Sequence, residues 1–264
     1  MIYNDEKIGL GIITFNSENY FKKLFESLPD HKYDELVVVN GGNPYETTYK
    51  RTYGNMHWIQ HETNLGSARS RNDALSYLYN KGCDHIFIFE DDLIVKNDSI
   101  FDEYIRVSKI TGLQYLHFVS YAWNTGHPGN RTPKLDVHYD PNTVVSFHGE
   151  MCNEASYRTR KLHELVGLYD EKMVNGFDVE WVKRATDTKF VAPFRYFADL
   201  SNSDDLIMNN PDATSRLDAD GKRLERLKPD YLYFMQKHGI PISHIPDIGT
   251  ENTVDKLKSI RNAK

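Results

Sequence analysis

Apolar and polar positions along the first 125 residues alternate between two patterns. Residues 8–15 form an apolar run holding two glycines. The next apolar positions, Tyr20, Phe21, Leu24, Phe25 and Leu28, recur at the spacing of one helical face. Ser17 is placed to cap this helix and Pro29 to stop it. Residues 35–39 form a second apolar run, ending in the turn signal Asn40-Gly41-Gly42. Residues 57–60 predict a third strand, and residues 67–80 a helix closed by Gly82. Residues 85–89 predict a strand that runs into Glu90-Asp91-Asp92. The helix that follows is expected to be capped by Asn97, to face the core with Ile100, Phe101, Tyr104 and Ile105, and to end at Gly112. Residues 113–120 predict another strand.

Strands alternating with helices of this length imply βαβ units and a mainly parallel sheet, so the fold class is α/β. Near-continuous apolar strands imply helices on both faces. Ligands of such sheets sit at the carboxyl ends of the strands. That rule lines up residues 14–16, 40–42, 64–66 and 90–92 along one rim. Beyond residue 125 the pattern loosens. Residues 126–141, rich in Gly, Pro and charge, read as a loop, and residues 144–147 as a strand. Short helices are predicted over 161–166 and 178–186. Residues 200–220 are polar and read as a loop or flap. Residues 224–238 look helical, with an interruption at Pro229, and the polar tail after Ile245 is expected to be loosely held. The chain thus divides into residues 1–125 and 126–264, two halves of one compact domain.

The 264 residues suit one large α/β domain. With 39% hydrophobic and 27% charged residues, collagen, coiled coil and wholesale disorder are excluded. A net charge of −6 argues against coating nucleic acid through bulk positive charge. Two cysteines, Cys83 and Cys152, build no disulfide framework, and Cys83 reads as an inert core thiol. The polar, acidic start is unlike a signal peptide, and no apolar run approaches the ~20 residues of a membrane span. The expected location is the cytoplasm.

Glu90-Asp91-Asp92 is the strongest chemical signal. Three adjacent carboxylates at a strand end repel one another, and a hard divalent cation is the natural compensation. A solvated acidic turn is the plainer alternative, but the apolar strand before it aims the triplet at the rim. The stretch from Asn64 to Asn72 joins a strand to a helix start. Free backbone amides and the helix dipole favour a phosphate there, with Arg69 or Arg71 adding charge.

These residues bear a resemblance to the family 2 glycosyltransferases and, more broadly, to the GT-A fold. The resemblance takes in Ile12-Ile13-Thr14-Phe15-Asn16, then Asn64-Leu65-Gly66 with Ala68-Arg69, then Phe89-Glu90-Asp91-Asp92 as a DXD-like motif. It continues through Val166-Gly167-Leu168-Tyr169-Asp170-Glu171. It ends in Gly176-Phe177-Asp178-Val179-Glu180-Trp181, which is similar to the segment carrying the catalytic base. Departures are plain. Asn40-Gly41-Gly42 stands where an aspartate often reads the nucleotide base, and Phe177 replaces the usual acid before Asp178.

The resemblance implies transfer of a sugar, with inversion, from a nucleotide-diphosphate sugar, a UDP-sugar by preference, to an acceptor hydroxyl. Asp178 is then the base, with Glu180 and Glu150 as its rivals, and Trp181 is placed to pack on a sugar ring. Asp92 with Glu90 would hold Mn2+ or Mg2+. Asp91, Thr14, Asn16, Asn40, Asn64 and Arg69 would line the donor site. The acceptor could be a polysaccharide, a lipid-linked sugar, a protein or modified nucleic acid, and a homo-oligomer is allowed. Two rival readings are a nucleotidyltransferase and a non-catalytic sugar-binding protein. The first lacks its basic loop after the first strand; retention of Asp92 and Asp178 together weighs against the second.

Overall fold

The structure, a computed structural model, describes residues 5–119, 132–149, 154–212 and 222–262, the last stretch without the side chains of residues 223 and 224. Strands β1 (Ile8–Thr14) and β2 (Glu35–Asn40) are buried along their whole length. With β3 (Asn55–Gln60) and β4 (His85–Glu90) they pair in parallel, connected by helices α1 (Glu18–Ser27) and α2 (Ser67–Asn80). Beyond β5 (Leu93–Val95) and α3 (Ile100–Thr111), the sheet gains β6 (Tyr115–Phe118) and β9 (Ala155–Thr159). The strand order is β3-β2-β1-β4-β9-β6, and β9 runs antiparallel to both its neighbours.

Side-chain alternation divides the interior into two cores. Leu36, Val38, Phe87 and Phe89 face α1 and α3, while Val37, Val39, Ile86 and Ile88 face α2. Also on the second face pack α4 (Arg160–Val166), α5 (Phe177–Asp187) and α6 (Arg223–His238), through Leu162, Trp181 and Phe234. Burying one such side chain contributes about 1.5–3 kcal/mol. Helix α2 lies so close to β1 that a Cβ on Gly9 would sit 2.7 Å from Cys83 Sγ and from Leu78 Cδ2. The two glycines of β1 therefore serve helix–sheet packing. Cys83 is buried, and burial pushes its thiol up to about 12, as befits an inert core residue.

Several expectations need correction. Leu135–Asp140 is strand β7, not loop, and pairs with β8 (Thr143–His148), which in turn pairs with β10 (Phe197–Leu200). Its alternation of Leu135, Val137 and Tyr139 with polar residues matches a half-buried strand. Of residues 200–220, the described part is ordered: a 3-10 turn over Ser203–Asp205 leads into β11 (Ile207–Asn209), which pairs with β5. Arg216, in the expected flap, lies outside the described residues. Helix α6 continues through Pro229. The tail forms helix α7 (Thr250–Asn262), anchored by Thr253, Leu257 and Ile260 at helical spacing. Ser17 does occupy the N-cap of α1, with its hydroxyl donating to the Phe15 carbonyl instead of a helix amide bonding to it. Asn97 Oδ1 accepts from the Ser99 amide just ahead of α3, whose N-cap position is Ser99.

Candidate active site

Adjacent strands β1 and β4 end at the same edge, which brings Thr14 beside Glu90-Asp91-Asp92. The Asp91 carboxylate accepts from Thr14 Oγ1 and, at 3.3 Å, from the Phe15 amide. The Thr14 hydroxyl also meets that of Tyr45. Asn16, in left-handed backbone at φ 53°, accepts from the Asn43 amide at 2.8 Å. Asn40 is wholly buried; it donates to the Asn43 carbonyl (2.8 Å) and Gln60 (3.1 Å) and accepts from the Gly42 amide (2.9 Å). Asn16 and Asn40 thus shape the turn beside Thr14 and Asp91. Asn64 folds the turn before α2 by accepting from Gly66 at 2.9 Å, and exposed Arg69 pairs with Asp73 at 2.9 Å. The cation that reaches the acidic edge is Arg71. It is buried, donates to Glu90 and to Ser67 Oγ (2.6 Å), and lies 5.6 Å over the Phe177 ring.

Asp92 is only 9% exposed. Burial, reinforced by Glu90 and Asp91, pushes its carboxyl up to about 7. Its Oδ1 has no hydrogen-bond partner among the described residues. Glu154, at 7% exposure, enters beside it because its carbonyl accepts from the Glu90 amide at 2.6 Å, just ahead of β9. Burial, then Glu90 and Asp92, hold Glu154 well above the usual carboxylate range, and its Oε2 has no partner among the described residues. Asn210, whose amide donates to the Asp92 carbonyl at 2.7 Å, keeps its side-chain Nδ2 buried, with no partner among the described residues. Buried, unmatched carboxylate oxygens fit a hard divalent cation, which is commonly bound by one or two carboxylates with phosphate oxygens filling the shell. Among the described residues no three His, Cys, Asp or Glu side chains form a ready-made metal cage.

Asp178 stands in the first turn of α5, across Arg71 from this edge. Burial raises its carboxyl to about 6. Its own helix amide at Val179 (2.8 Å) and the Arg71 charge oppose the rise, while Glu90 adds to it. The rival Glu180 is fully buried and spent on Arg184 (3.0 Å), Lys237 (2.9 Å) and His238 (3.2 Å). Glu150 lies outside the described residues. Trp181 does not face a ligand: it is fully buried, donates to the Gly167 carbonyl at 2.8 Å, and packs 4.1 Å from the Arg158 guanidinium. Grooves of about 640 Å3, beside Tyr45, Tyr49 and Trp58, and about 530 Å3, beside His85 and Lys109, lie away from the acidic triplet. The convergence of charge, rather than cavity size, marks the site.

Residues 10–106 match the sequence profile described as Glycosyl transferase family 2. No curated protein sequence matches the chain. Among solved structures, Staphylococcus aureus TarS with UDP superposes with a TM-score of 0.54 at 15% identity, over 90% of this chain and 73% of its own. The mannosyltransferase PcManGT of Pyrobaculum calidifontis, with GDP-Man and Mn2+, gives 0.50 at 13% identity, over 99% and 69%. GalNAc-T7 with UDP, GalNAc and Mn2+ gives 0.54 at 13% identity, over 98% and 55%. The fold is GT-A. The matched segment runs from within β1 to within α3 and so includes the rim residues Thr14 to Asp92. Together the profile and the GT-A fold support a glycosyltransferase. Asp178 and Glu154 fall outside the matched segment.

Proposed function

We propose that this protein transfers a sugar, with inversion, from a UDP-sugar to an acceptor hydroxyl, in a reaction that depends on a divalent cation. The observation that carries the reading is Asp178: a carboxyl raised to about 6, across Arg71 from an acidic strand end whose Asp92 has a buried oxygen with no partner among the described residues. Asp92 and Glu154 would hold the cation, since Glu90 is neutralised by Arg71. When bound, the cation supplies positive charge against the leaving diphosphate. Thr14, Asp91 and the turn built by Asn16 and Asn40 bind and orient the nucleotide. Asp178 accepts the proton of the attacking hydroxyl, and a value near 6 leaves it ionised yet basic at neutral pH. Arg71 keeps it so by standing between it and Glu90.

The UDP and GDP-Man held by these structural neighbours support a panel of UDP- and GDP-sugars as first probes. Nucleotide release is measured with Mn2+. Asp178→Asn should bind nucleotide and Mn2+ as wild type does and lose turnover by ~10²–10⁴-fold. Turnover at the wild-type rate in that variant would refute the assignment.

A further inference from the structure

The turn that delivers Asp178 is held from the other end of the chain. Asp230, on α6, is 3% exposed. Its Oδ1 accepts from the Val174 amide at 3.1 Å, and its Oδ2 accepts from the Asn175 amide at 2.6 Å and the Gly176 amide at 2.9 Å. Three successive amides closing on one carboxylate form a nest, just ahead of the positive end of α5. Hydrogen bonds of this charge-assisted kind are about twice as strong as neutral ones. Gly176 packs closely here: a Cβ there would lie 3.1 Å from Met173 Cε and in ordinary contact, 3.4 Å, with Asp230 Cβ.

The clamp is itself rigid. Phe234, one turn on, is fully buried in the core shared with α5. Lys237 bridges Asp170 (2.6 Å) and Glu180 (2.9 Å), His238 reaches Glu180, and Tyr233 donates to Asp170 at 3.1 Å. Helix α6 is therefore pinned to α5 and to the loop before it. With the nest amides engaged by Asp230, the Asp178 carboxylate accepts from the α5 amide of Val179 at 2.8 Å and lies within the field of the Arg71 charge.

We infer that Asp230 is a positioning residue for the transfer reaction: by holding the 174–176 turn it aims the Asp178 carboxylate at the site. The inference rests on the assignment of Asp178 as base. Two measurements test it. In Asp230→Ala, amide hydrogen exchange at residues 174–176 should accelerate by at least ~10-fold, because buried protection is lost. Hydrolysis of UDP-sugar with Mn2+ should lose about 10²-fold in kcat with donor KM unchanged, the scale expected for a misplaced catalytic group. Asp230→Asn, which keeps one accepting oxygen, should fall between. In Asp178→Asn, adding Asp230→Ala should cost nothing more, since the group being aimed is gone. Unchanged exchange, or equal losses in both backgrounds, overturns the inference. An Asp178→Asn enzyme that hydrolyses donor normally instead overturns the base assignment, and the exchange result then still decides whether Asp230 holds the turn.

Discussion

Replacing Arg71 by Met removes the charge at the centre of the site while keeping a side chain of similar length. Arg71 is 1% exposed, so its guanidinium has no access to bulk water, and its pairing with Glu90 and Ser67 is the compensation for its burial. Removing one partner of a buried pair typically costs 3–5 kcal/mol. Here the Glu90 side chain is 35% exposed and water screens what is left behind. A loss of about 2–3 kcal/mol follows. A second effect is specific to the site. Arg71 holds down the carboxyls of Asp178, Asp92 and Glu154, so all three should titrate higher without it. Urea unfolding measures the first effect, and the pH profile of kcat/KM the second, as an acid limb moved upward. The Glu90→Gln single and double variants complete a cycle, and the pair should couple by about 1–3 kcal/mol. If stability and acid limb both match wild type, Arg71 is not the charge that organises these acids, and the electrostatic account fails.

Other outcomes follow from the same geometry. Asp92→Asn should abolish Mn2+-dependent UDP binding and leave the far-ultraviolet circular dichroism unchanged; titration calorimetry with and without Mn2+ checks this. At saturating Mn2+, kcat/KM should be flat above about pH 6 and fall tenfold per unit below it. The sign follows from Asp178, which acts when deprotonated and whose carboxyl is raised to about 6. Gly9→Ala should destabilise by about 1–3 kcal/mol in denaturant without altering nucleotide affinity, because its Cβ would overlap Leu78 and Cys83 far below the rim.

Much of the parallel half was legible in the sequence because β1, β2 and β4 are near-continuous apolar runs. Helix α2 falls where the pattern placed it, over Ser67–Asn80. What failed was phase and length. Arg71 shares a helical face with Ala68, Leu75 and Leu78, all buried, whereas Arg69 sits in phase with Asp73 on the wet side. The spacing alone therefore held the clue that Arg71 is the inward arginine. Trp181 follows the same rule: with Phe177 and Ala185 it forms the buried stripe of α5. Strands β5 and β11 are three residues each, too short for any period to show. Glu154 is one acid ahead of a strand, and its importance comes from pairing with a strand more than sixty residues earlier in the chain. The tail was misread because it is polar on average, although Thr253, Leu257 and Ile260 already mark one face.

The insertion of β9 between β4 and β6 has a consequence for how the chain is made. Synthesis delivers β1 to β6 first, and until residues 155–159 emerge β4 and β6 each lack their partner on the β9 side. The unpaired stretch of β4 is Ile86-Phe87-Ile88-Phe89, an uncharged apolar edge of the kind that templates aggregation. The nascent first half is thus at its stickiest just before its missing strand arrives. A fragment cut at Val119 should precipitate or recruit chaperones, and supplying β9 in trans, as a peptide of residues 154–166, should relieve it.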